Sequence, residues 1–264
     1  MSATVAGLFV YPVKSMSGIA VDQVDLDALG FPHDRRWMTT DAEGHFLTQR
    51  VLPRLALVRT AIEGDRLRLS ADGAALELPL VPPAGPTEPV RVWRDDVGAV
   101  PAGEDSDRWI SDFLGLPARI FGFPPAAVRP AKRDPGGRGA RIGFADAYPG
   151  LLISEESLED LNGRLEEPLE MNRFRPNLVV RGAGPFAEDG WRRVRAGEVE
   201  FDVAGPCARC ATTTVDQATG ERGKEPLRTL ATFRREGSEV MFGQNVVHAA
   251  PGRIRLGDPV EILA

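Results

Sequence analysis

Two cysteines in a chain of 264 residues, Cys207 and Cys210, stand within Gly205-Pro206-Cys207-Ala208-Arg209-Cys210-Ala211-Thr212-Thr213-Thr214-Val215-Asp216, so all of the thiol chemistry is gathered at one point. A Cys-x-x-Cys unit can be a redox dithiol, half of a zinc site, or one soft thiolate ligand beside a bystander. A closed structural zinc site takes about four ligands. No second Cys-x-x-Cys exists, and the histidines, His33, His45 and His248, lack a paired spacing. A thioredoxin-type dithiol needs its first cysteine at a helix N-terminus, whose dipole lowers the thiol pKa. Here the motif runs into Thr212-Thr213-Thr214-Val215, a β-branched run that predicts a strand. What survives is a thiolate on a loop before a strand, suited to a soft or high-valent metal held mainly by a non-protein ligand. Two inert, half-buried thiols remain the other reading that spacing leaves open.

Residues suited to anions recur where strands are predicted to end, the usual place for ligand contacts. Tyr11-Pro12-Val13-Lys14-Ser15 sets a cation beside a hydroxyl, and Asp34-Arg35-Arg36-Trp37 sets two guanidiniums at the start of a strand. Leu47-Thr48-Gln49-Arg50 supplies a third, and Asn172-Arg173-Phe174-Arg175-Pro176-Asn177 precedes an apolar strand. Arg and Lys with nearby Ser and Asn suit a phosphate held by charge-assisted, often bidentate, hydrogen bonds. Taken singly, each segment also describes a surface ion pair.

The elements that must position these residues are mostly strands. Alternation of residue types bounded by Gly, Pro and Asp predicts strands at 5–10, 24–29, 37–40, 55–62, 66–69, 75–80 and 89–93, forming an antiparallel sheet or barrel. A helix is expected over 105–114, with Trp109, Ile110, Phe113 and Leu114 as its apolar stripe, then a strand at 118–123. Segment 124–139 combines Pro and Gly with Arg129, Lys132, Arg133 and Arg138, and Arg141 follows it. It reads as a linker or mobile loop, and beside a site it would also suit covering an anionic ligand.

Further strands are expected at 151–153, 177–181, 199–203, 212–215, 240–247, 254–256 and 260–263. Ser154 reads as the N-cap of a helix bearing Leu158, Leu161 and Leu165, and a second helix is expected over 227–235. The fold class is mainly β with a few helices, α+β. Strict alternation of strand and helix is missing, and with it a doubly wound nucleotide fold.

The length suffices for a full core without disulfide staples, and two cysteines fit a reducing compartment. Residues 1–13 have an apolar run without a basic leader, so a first strand is expected there rather than a signal peptide. A cytoplasmic protein with no membrane contact follows as the expectation. A formal net charge of −6 and an isoelectric point near 5.3 argue against a nucleic-acid binder.

Together the motifs resemble the MOSC family (molybdenum cofactor sulfurase C-terminal domain) preceded by its N-terminal β-barrel domain, as in the amidoxime-reducing components and their bacterial relatives. The matching residues are the four segments around Lys14, Arg35, Thr48 and Arg175, the Cys207–Cys210 motif with Thr213-Thr214-Val215-Asp216 and Thr219-Gly220, Phe242-Gly243-Gln244-Asn245, and Gly257-Asp258-Pro259-Val260. They run in order along nearly the whole chain. The resemblance implies an N-terminal β-barrel-like domain, residues 1–122, packed on a MOSC β-barrel domain, residues 123–264. It also implies a molybdenum cofactor (Mo-molybdopterin), with Cys210 as the metal ligand and catalytic centre. Lys14, Ser15, Arg35 and Arg175 match positions that hold the cofactor and its phosphate, and Asp146, Tyr148, Arg209 and Asn245 match further contacts.

The activity implied is reduction of small N-hydroxylated compounds. The chain ends soon after Val260 without a fused iron–sulfur domain, so a separate electron-transfer protein, a ferredoxin, cytochrome or flavoprotein reductase, is expected to supply the electrons. A non-catalytic carrier of the cofactor, or of sulfur as a persulfide, would use the same motifs.

Overall fold

Alternation along the first strand decides where the N-terminus goes. In Ala3–Val10 the side chains of Ala3, Val5, Leu8 and Val10 are buried, the alternation shifting by one at a bulge between Val5 and Gly7. That apolar face closes a barrel formed mostly by the second half of the chain. The computed structural model describes residues 3–264.

The barrel runs in the order Gly150–Ser154, Leu178–Arg181, Ala3–Val10, Pro259–Ile262, Arg193–Ala196, Val199–Ala208 and Glu239–His248, and the last strand pairs back onto the first. Only the pairing of Gly150–Ser154 with Leu178–Arg181 is parallel. Closure leaves these strands without a free edge. Inside lie Leu8, Phe31, Leu152, Leu178, Val194, Phe201 and Val246. The chain is therefore interleaved, with its first strand in the barrel of its second half.

Residues after the first strand build two smaller antiparallel sheets. One has the order Trp37–Asp41, Ala118–Gly122, Asp95–Pro101, Glu88–Val92; the other is the meander Arg59–Glu63, Arg66–Ala71, Ala74–Pro79. Helix Glu104–Leu114 begins with Glu104, Asp105 and Asp107 in its first turn and ends at Gly115 in the left-handed region. It buries Ile110 and Phe113 with Trp37, Leu67 and Leu69.

Several expectations need correction. The predicted strand at 212–215 is a one-turn 3-10 helix, Ala211–Thr214. Thr213 and Thr214 donate their hydroxyls to the carbonyls of Cys210 and Ala211, so local side-chain bonding replaces a sheet ladder. The strand expected at 55–62 starts only at Arg59, because Pro53–Leu57 coils into a 3-10 turn that buries Leu55 and Ala56. The helix expected to reach Arg235 is confined to Leu227–Leu230. The strand expected at 24–29 is Gln23–Asp25, and strands Asp95–Pro101 and Arg193–Ala196 were not anticipated.

The linker 124–139 is tied down at several points: Arg138 pairs with Asp202, and the backbone N–H of Lys132 donates to the Ala147 carbonyl. Arg129 is buried and donates to Asp95 and to the carbonyls of Gly143 and Ala145. Among the described residues, no helix is long and apolar enough to cross a membrane.

Candidate active site

A cavity of about 330 Å³ is lined from both halves of the chain. Its walls carry Lys14, Ser15, Arg35, Asp146, Tyr148, Arg175, Arg209, Cys210 and Asn245, so the structure gathers every site residue named from the sequence. Several are held by strained backbone. Ser15, Arg35 and Arg175 have φ of 68°, 48° and 55°, a left-handed conformation that non-glycine residues adopt only where the surroundings enforce it.

Asp34 does much of that enforcing. Its carboxylate accepts from the Tyr11 backbone N–H at 2.8 Å, from Arg35 Nη1 at 2.7 and 2.6 Å, and from Asn177 Nδ2 at 3.0 Å. One buried acid thus fixes the end of the first strand, the Arg35 turn and the entry to Leu178–Arg181.

The deeper guanidiniums are incompletely bonded. Arg175 donates Nη1 to the Met16 carbonyl at 2.6 Å, and Arg209 donates Nε and Nη1 to the carbonyls of Phe242 and Phe174. The buried Nη2 of each has no partner. Burial, with Arg35 close by, pushes the Arg175 pKa down to about 10. Buried donors without acceptors are costly, and an anion in the cavity would relieve that cost.

The two thiols occupy different electrostatic environments. Burial pushes Cys207 above the ordinary thiol range, with Arg209 opposing it. Burial also raises Cys210, but the Arg50 charge and hydrogen bonds from Arg50 and Thr212 outweigh it, and its net shift is downward. Cys210 is also the residue preceding the 3-10 turn Ala211–Thr214.

At the mouth, Lys14 is buried and donates to the Phe144 carbonyl at 2.8 Å and to Asp146. Asp146 also accepts from Arg50 Nη2 and from the Trp93 indole, both at 3.0 Å. Surrounding protein raises the Asp146 pKa, but Lys14 and Arg50 dominate and hold it well below the usual carboxylate range. Burial lowers the Lys14 pKa against the opposing pull of Asp146. Burial raises Tyr148. Asn245 Nδ2 donates to the carbonyls of Gly205 and Pro206, tying adjacent barrel strands together beside the cysteines.

Residues 2–117 match the family model for the MOSC N-terminal beta barrel domain, and residues 139–261 match that for the MOSC domain. The chain belongs to the MOSC family. It is 39% identical to mitochondrial amidoxime-reducing component 1 of Mus musculus over 279 residues, covering 98% of this chain and 82% of that protein. The Homo sapiens protein of the same name is 38% identical, covering 98% and 83%. Molybdenum cofactor sulfurase of Oryza sativa subsp. japonica is 33% identical over 89% of this chain and 31% of that protein.

In this MOSC protein the side chain that does most to distinguish the cysteines was not among the site residues named from the sequence. Arg50 closes the quoted Leu47–Arg50 segment, and only the fold brings it to Cys210 and Asp146. Trp93 gave no signal beyond an aromatic residue closing the strand expected over 89–93, and the strand itself ends at Val92. It is 46% exposed, has φ of 59°, and lies with its ring 4.4 Å from Arg50 Cζ.

Proposed function

We propose that this protein is a reductase of small N-hydroxylated compounds that carries a molybdenum cofactor at Cys210 and receives electrons from a separate protein. The observation that carries the reading is a thiol biased toward thiolate, in a cavity whose buried Arg175 and Arg209 each keep a donor without an acceptor. The similarity to amidoxime-reducing components supports the substrate class.

The residues present fit the group. Cys210 would supply the soft protein ligand, and Arg175, Arg209, Arg35, Lys14, Ser15 and Asn245 would hold the anionic pterin part through charge-assisted bonds. Among the described residues no cluster of three or more His, Cys, Asp or Glu could hold a metal. When bound, the cofactor supplies a two-electron reduction, R–NHOH + 2e⁻ + 2H⁺ → R–NH₂ + H₂O. Arg50 bonds Cys210, favouring its thiolate form, and pairs with Asp146. Asp146, whose side chain is 49% exposed, stands ionised at the mouth, where it can accept an N–H from an amidine-like group.

The test is metal and pterin analysis of protein made in a host that synthesises the cofactor, with amidoxime turnover measured alongside. Stoichiometric molybdenum and pterin, turnover with an artificial reductant and almost none with NADH alone are expected. Cofactor content without turnover under any reductant would make the protein a carrier, and no molybdenum would sink both readings.

A further inference from the structure

Tyr11 has no task in the function proposed above. It is 2% exposed, yet it belongs to none of the apolar core clusters among the described residues. Its ring is occupied by cations instead. Arg35 Cζ lies 4.3 Å and Arg175 Cζ 4.2 Å from the ring centroid. Two guanidiniums brought to one ring repel each other, and only Arg35 has a carboxylate partner, Asp34. Arg175 has the Met16 carbonyl and an unpartnered Nη2. Arg35 also reaches the Arg175 carbonyl at 3.4 Å, and the negative face of the aromatic ring attracts both guanidiniums at once, most strongly where water is excluded.

The ring itself cannot retreat. The Tyr11 backbone N–H donates to Asp34, and its carbonyl accepts from the Arg35 N–H at 2.7 Å. A Cβ on Gly18 would lie 2.4 Å from Tyr11 Cε1, so a side chain there would overlap the space the ring fills. Burial, opposed by Arg175 and Arg35, pushes the phenol up to about 12, so the ring is a neutral π face at physiological pH.

We propose that Tyr11 is a positioning residue whose ring holds Arg35 and Arg175 together as a two-cation clamp for a phosphate group in the cavity. The clamp rests on the cofactor reading only for the identity of the molecule that carries the phosphate; the anion site itself stands on the geometry. The ring attracts both guanidiniums while Asp34 bonds only Arg35 of the two, so Arg175 keeps its Nη2 for an incoming acceptor.

The experiment measures calorimetric affinity of the cofactor-free protein for inorganic phosphate and pyrophosphate. Tyr11→Phe should bind as the wild type does, because the ring face is kept. Tyr11→Leu should bind about tenfold more weakly. Should the leucine variant not fold, pentafluorophenylalanine at position 11 decides the matter, since it reverses the ring's charge distribution at nearly constant shape; a loss of similar size is expected. Unchanged affinity in the fluorinated protein, equal loss in Tyr11→Phe, or no phosphate binding by the wild type overturns the clamp. A fluorination-sensitive anion site in a protein that never acquires pterin would retain the clamp and reject the cofactor reading. Pterin-loaded protein with fluorination-insensitive affinity would do the reverse.

Discussion

Arg50 Nε lies 3.0 Å from Cys210 Sγ although 160 residues separate them in the chain, and the same guanidinium reaches Asp146 with Nη2. A guanidinium bonded to one of two nearby thiols breaks their equivalence, because it favours the ionised form of that sulfur alone. Its second bond places a carboxylate where Arg50 is already neutralised in part, so the pair forms a polar lip over the thiolate.

Alkylation should report that asymmetry. In cofactor-free protein, Cys210 should react with iodoacetamide at lower pH than Cys207, since its pKa is shifted down and that of Cys207 up. Arg50→Gln should move the onset for Cys210 to higher pH and slow its reaction at neutral pH several-fold. Mass spectrometry of the labelled peptides across a pH series reads this. An unchanged profile in the variant would remove Arg50 as the cause.

Replacing each cysteine should give unequal results in cofactor-loaded protein. Cys210→Ser exchanges a soft thiolate for a poorly ionised hydroxyl, so activity should collapse while pterin content largely persists through the Arg and Lys contacts. Cys207→Ser should be milder. Molybdenum, pterin and turnover are measured for both; equal losses would favour a dithiol or persulfide mechanism.

Asp146 links stability to pH. Its carboxyl is held below its ordinary value in the folded state, so its contribution is complete above the unfolded pKa of about 3.9 and is lost as pH falls through the folded value. Asp146→Asn, which also leaves buried Lys14 without its counter-charge, should cost about 1–2 kcal/mol near neutrality. That is less than the about 3–5 kcal/mol of a fully buried pair, because half of the Asp146 side chain faces solvent. The gap in Tm between wild type and variant should narrow as pH drops below about 4. A gap independent of pH would contradict it.

Gly243→Ala should destabilise the barrel beside the site. Gly243 has φ of +73°, and an added Cβ would lie 2.6 Å from Ile153 Cγ1 and 2.9 Å from the Leu152 carbonyl oxygen. Left-handed strain and overpacking together suggest a loss of about 2–4 kcal/mol, read as a lower Tm in thermal unfolding. A neutral substitution would show that the strand can shift there.

Local patterns in the sequence carried a large part of this molecule. Alternation in Ala3–Val10 and Arg66–Ala71, the capping serine Ser154 and the acidic start of helix Glu104–Leu114 are visible because each depends on neighbours a few residues away. Ser154 does accept the Ser157 N–H. The residues lining the cavity were legible too, since Lys14, Arg35, Arg175 and Cys210 each sit in a segment whose polar residues are out of keeping with the strand beside it.

The sequence by itself thus determined the strand-rich class, the motifs and the cavity residues named from them. Only the tertiary structure decided that Cys210 rather than Cys207 is the thiol biased toward thiolate, that Tyr11 lies beneath two guanidiniums, and that Arg50 and Trp93 complete the mouth. Those outcomes depend on distances between residues far apart in the chain, and on which buried donors find acceptors. Charge and hydrogen bonding act through space, so no local period or spacing encodes them. The 3-10 turn at Ala211–Thr214 has the same origin at shorter range: hydroxyls bonded to nearby carbonyls outweighed the strand preference of the β-branched run.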